Sequence, residues 1–130
     1  MALQIGNPVA IETLKFHVLR TPELRLSGTL STSSAQTELT RQLAELHEHI
    51  VEKRYPSFTV DVRGLSFVNS SAIRVFVNWI SRADQARYKL VFLTDRSITW
   101  HRLSFSVLKS LSPQTVEIHD GGETTAAGTP

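Results

Sequence analysis

The apolar residues change period within one short stretch, "FTVDVRGLSFVNSSAIRVFVNWI", residues 58–80. Before Asn69 they alternate, as in a strand with one buried face. After Ala72 they recur every three or four residues, as in a helix with one buried side. A strand that runs straight into an amphipathic helix is half of a β-α-β unit. Parallel strands need such a crossover, because no tight turn can join them. The stretch therefore commits the chain to a sheet with helices packed on it.

The flanking segments extend the pattern. "IETLKFHVL" alternates through Leu14, Phe16 and Val18, and Pro22 in "TPE" marks a turn. "LRLSGTL" alternates again, so the two runs predict a hairpin. "STSSAQTELTRQLAELHEHIVEKRY" predicts the first helix. Ser33 and Gln36 have capping-box spacing, Leu39, Leu43, Leu46 and Ile50 mark the buried face, and Pro56 ends the region. "FTVDV" predicts a strand interrupted at Arg63-Gly64, and "LSFV" leads from there into the motif. The second helix runs from Ser70 or Ser71 to about Ala86 and buries Ile73, Phe76, Val77, Ile80 and Ala83. Val75 and Trp79 widen its apolar arc, toward either a neighbouring helix or a partner.

"KLVFLT" is the most apolar strand and is expected at the centre of the sheet. "SITWHRLSFSVLKSL" fits helix through Trp100, Leu103, Val107 and Leu111 and strand through Leu103, Phe105 and Val107. Helix is favoured because a parallel return to "TVEIH" needs a crossover. The order β-β-α-β-α-β-α-β predicts one α/β domain, a mixed sheet of about five strands covered by about three α-helices.

With 130 residues the chain suits a single domain, placed at residues 1–120. "GGETTAAGTP", residues 121–130, has no large apolar side chain and is expected to be a disordered tail. There is no cysteine, which removes disulfides and thiolate metal sites and fits a reducing compartment. No apolar run is long enough to span a bilayer, and the N-terminus lacks the pattern of a secretory signal. A cytoplasmic protein without membrane contact is expected. The net charge is +2 and the charges are scattered, so nucleic-acid binding is not required.

The motif at the change of period is Asn69-Ser70-Ser71-Ala72. Asn and Ser are good helix caps, because their oxygens accept from the unpaired N–H groups of a first turn. The same helix end tolerates negative charge. Helical spacing places Ser70, Arg74, Asn78 and Arg82 on one polar stripe, with Arg74 one turn from Ser70.

The order of elements, with "LRLSGTL", "FTVDVRGLSFVNSSAIRVFV" and "YKLVFLT", resembles the STAS domain over roughly residues 11–120. That family includes the bacterial anti-sigma factor antagonists. Asp61 matches the family's first Asp, Ser70 and Ser71 match its hydroxyl pair, Asn69 stands at its second Asp, and Ala72 at its Gly. The resemblance implies a non-enzymatic partner-switching regulator in signal transduction. It implies phosphorylation at Ser70, with Ser71 as second choice, by a protein that is both serine kinase and anti-sigma factor, and reversal by a phosphatase. The expected partner surface is Asn69, Ser70, Ser71, Arg74, Asn78 and Arg82. The oligomeric state is left open. The alternatives are a STAS-like scaffold or oligomerisation module that is never phosphorylated, and then a nucleic-acid binder.

Other constellations carry less. His47 and His49 lie two apart on a helix and diverge, so no metal site is expected. "VNSSA" lacks the Gly-x-Ser-x-Gly elbow, and no phosphate-binding or dinucleotide loop is present. No catalytic residue and no cofactor is expected. Arg96, His101, Arg102 and Lys109 around Trp100 are a weak nucleic-acid signal.

Overall fold

The computed structural model describes residues 3–120, so the expected tail at 121–130 lies outside the described residues. The strands are β1 (Pro8–Ile11), β2 (Leu14–Val18), β3 (Glu23–Leu30), β4 (Ser57–Val68), β5 (Lys89–Thr94) and β6 (Val116–Asp120). The helices are α1 (Ser33–Lys53), α2 (Ile73–Ala86) and α3 (Thr99–Leu111), and a 3-10 turn (Ser70–Ala72) precedes α2. One sheet holds all six strands in the order β1-β2-β3-β4-β5-β6. The β1/β2 and β2/β3 pairs are antiparallel and the rest are parallel. The α/β class and mixed sheet are as predicted.

The strand order decides where the helices go. From β3 onward each strand lies beside its successor, so every crossover steps in the same direction. Right-handed connections then place α1, α2 and α3 on one face of the sheet. Leu24, Val60, Phe92 and Ile118 form a row across that covered face. His17, Arg25, Asp61, Leu93 and His119 form the next row, on the face without helices. The helices therefore cover one side of the sheet, not both. Asp61 is still buried, because Arg63 folds over it in a bidentate pair at 3.0 and 2.9 Å.

Several local expectations change. The first predicted strand is β2, and a further strand, β1, precedes it across a turn in which Glu12 takes φ 55°. Gly28 faces the same turn with φ 95°, and a Cβ there would lie 2.1 Å from the Thr13 carbonyl oxygen. That position needs glycine. Helix α1 is capped by Thr32, not Ser33: Thr32 is extended and its Oγ1 accepts from the Ala35 N–H at 3.1 Å. Arg63-Gly64 does not end β4. Two residues there oppose one on β3, a bulge inside a continuous strand. The middle of the sheet is β3–β4, and β5 lies one strand nearer the edge. Its apolar character comes partly from Val91 and Leu93, which are half-buried on the face without helices.

Helix α3 forms as predicted but with its faces exchanged. His101, Phe105 and Leu108 are buried, whereas Leu103, Val107 and Leu111 are 63%, 57% and 63% exposed. Both sets have helical spacing, and the aromatic core selects between them. Phe105 packs against Phe92 at 5.0 Å and Phe76 at 6.1 Å between ring centroids. Trp79 is buried between α2 and α1, so its neighbour is a helix. Its Nε1 donates to the Tyr88 hydroxyl at 3.0 Å, and that hydroxyl lies 2.7 Å from His47 Nδ1 on α1.

Candidate functional site at the start of the second helix

Strand β4 ends at Val68, and the Asn69 N–H donates to the Leu30 carbonyl at 2.9 Å, so the motif begins where β3 and β4 finish together. Asn69 is extended and caps the 3-10 turn. Its Oδ1 accepts from the Ser71 N–H at 2.9 Å and the Ser71 hydroxyl at 2.8 Å, while Nδ2 donates to the Ser31 carbonyl at 3.2 Å. A neutral amide does both, whereas a carboxylate at this position has no donor for Ser31.

The two serines differ. Ser71 Oγ gives its proton to Asn69 and accepts from Gln36 Nε2 at 3.1 Å, which ties the motif to the first turns of α1. Ser70 is exposed, and its hydroxyl has no hydrogen-bond partner among the described residues. Ala72 is fully buried, so its methyl group points into the core and away from that hydroxyl.

The predicted stripe is only partly assembled. Ser70 belongs to the 3-10 turn, where each residue turns further than in an α-helix, and so it stands off the line of Arg74, Asn78 and Arg82. All three of those residues are exposed. Arg74 has no ion pair among the described residues. Asn78 and Arg82 line a groove of about 340 Å³ between α1 and α2, with Leu43, Ala44 and Trp79 beneath. Sequence reasoning missed Gln36 and Ser31 as parts of the site. Gln36 has capping-box spacing from Ser33, but its side chain serves Ser71 of the 3-10 turn.

Two carboxylates are held below their usual range, one beside the motif and one far from it. Glu12 accepts from Ser34 and, at 2.7 Å, from Thr32, and these hydroxyls hold its carboxyl below the usual range. Asp61 lies on the opposite face of the sheet. Burial acts to raise its carboxyl, but the side-chain and backbone hydrogen bonds from Arg63 together outweigh burial and leave it lowered. Of the residues of the nucleic-acid signal, Arg102 and Lys109 are exposed along one flank of α3. His101 is buried, accepting from the Asp95 N–H at 3.0 Å and bonding the Leu65 carbonyl at 2.9 Å. Trp100 donates to the Ser66 carbonyl at 3.0 Å.

No protein-family model matches the chain, and no curated protein matches it.

Proposed function

We propose that this chain is a non-enzymatic, STAS-like signalling regulator whose binding to a protein partner is switched by phosphorylation of Ser70. The observation that carries the reading is the contrast between the two hydroxyls. Ser71 is committed to Asn69 and Gln36, whereas Ser70 is exposed and free. A phosphate on Ser70 adds about −1.5 to −2 charge and three acceptor oxygens. Asn69, not Ser70, supplies the cap, so the modification removes no bond that the fold uses. Arg74, one turn further along the chain, has no ion pair among the described residues and is the cation assigned to the phosphate.

The partner docks over Ser70, Arg74 and the α1–α2 groove that holds Asn78 and Arg82. A dianion at the edge of that surface meets the partner's own surface incompletely solvated, and the complex dissociates. The partner class is a serine kinase that is also an anti-sigma factor, opposed by a phosphatase, and the setting is the cytoplasm. No helix among the described residues is long and apolar enough to cross a membrane. Pull-downs from the source cells with wild type, Ser70→Ala and Ser70→Asp test this. One protein should be retained by wild type and Ser70→Ala and lost from Ser70→Asp. Equal retention by all three would remove the switch.

A further inference from the structure

We infer that the outer face of α3 is a contact surface for a second copy of this chain, separate from the Ser70 site and independent of its function. Leu103, Val107 and Leu111 follow one another at intervals of four, so they form a single ridge along the helix. They are 63%, 57% and 63% exposed, and among the described residues no other element has more than one large apolar side chain so open. The ten residues after β6, "GGETTAAGTP", contain no large apolar side chain to lay over the ridge.

The charge pattern points to the occupant. On the helix surface Val107 is ringed by Leu103, Ser104, Ser106, Ser110 and Leu111, none of them charged. Helix α3 has no acidic residue, and its cations lie to one side. Arg102 and Lys109 both border the cavity toward β6, and Lys109 Nζ is folded onto the Val116 carbonyl at 2.9 Å. A neutral centre with charge at its edge suits contact with an identical patch, because nothing in it meets its own like charge. A strongly basic partner would find no opposite charge on α3, and an acidic one would find cations only along one edge.

Shape agrees. Beside the ridge, between α2 and α3, lies a groove of about 240 Å³ lined by Val77, Ile80, Leu108 and Leu111. The carboxylate at its margin, Asp84, already accepts from Gln114 and from Thr115 at 3.1 and 2.7 Å. A ridge next to a groove is self-complementary under a twofold axis between them. Each copy's ridge enters the other's groove, which is an isologous contact. A membrane-surface helix has a broad apolar arc bordered by cations, and one ridge with cations on a single flank does not match it. A helix of this length is about 20 Å long. One ridge and one groove therefore fall short of the roughly 800 Å² per partner of a standard interface. The dimer is accordingly weak and reversible.

Sedimentation velocity of the full chain over a wide micromolar range tests the inference. The expected result is a concentration-dependent shift from monomer to dimer. Val107→Glu should raise the dissociation constant about tenfold or more, with its circular dichroism unchanged. Val51→Glu, at an exposed apolar position on α1, should leave it alone, as should Ser70→Asp. Dilution should move amide resonances on α3 and on the α2 side of the groove. A chain that stays monomeric throughout, or a dimer that Val107→Glu leaves intact, would overturn the inference. So would a monomer that binds phosphatidylglycerol vesicles through Val107, which would assign the face to a membrane.

Discussion

The difference between Asn69 and Ser70 is one of bonding. Asn69 ties the end of β3, at Leu30 and Ser31, to the 3-10 turn at Ser71, whereas the Ser70 side chain has no partner among the described residues. Asn69→Ala should therefore cost about 0.5–2 kcal/mol in denaturant unfolding, as a lost cap. Ser70→Ala should stay within about 0.5 kcal/mol, as an exposed substitution. The sequence pointed to these residues, since a change of period marks the junction, but it could not divide the roles. Which hydroxyl is free depends on Gln36, thirty-five positions away. Asp61 gives a pH test. Its folded carboxyl is lowered, so its stabilisation is present above its unfolded pKa of about 4 and lost as pH falls through the lower folded value. Thermal melts from pH 6 to pH 2 should fall less steeply in Asp61→Asn than in wild type.

Single elements show where periodicity stops being informative. α1 was legible because Leu39, Leu43, Leu46 and Ile50 are its one continuous apolar line, and all four are buried. α3 offers two lines, and the one with three aliphatic residues is outside. A histidine in the other line disguised it, because His101 is an apolar-site residue only once Asp95 and Leu65 satisfy both nitrogens. β1 escaped notice because it is short and separated from β2 only by Glu12 and Thr13. Between α1 and α2, Tyr88 joins Trp79 to His47. Burial pushes its hydroxyl up to about 12, although the Trp79 hydrogen bond works the other way. The protonated phenol is thus favoured by folding. Its stabilisation is whole below about pH 10 and lost as pH rises through about 12. Tyr88→Phe should destabilise the chain by about 1–3 kcal/mol at neutral pH, because it leaves buried partners unpaired. The variant should also melt with a flatter dependence between pH 9 and 11.5.

At the scale of the whole molecule, the sequential strand order explains how one domain presents separate surfaces. All three helices share one face, so the Ser70 turn and the outer side of α3 belong to the same layer without sharing residues. That layering follows from connection handedness, which periodicity alone does not reveal, and it leaves one face of the sheet without helices. It also places Ser70 at the rim of the helical layer, with a cap supplied by its neighbour. Modification there should change the surface and leave the fold alone. Phosphoserine introduced at position 70 should shift amide resonances around residues 69–74, Ser31 and Gln36 and leave the core of the sheet unmoved. The most direct test is site-resolved mass spectrometry of the chain after incubation with ATP and an extract of its own cells. Phosphate is expected on Ser70 and absent from Ser70→Ala. Phosphate confined to Ser71, or none on the motif, would contradict it.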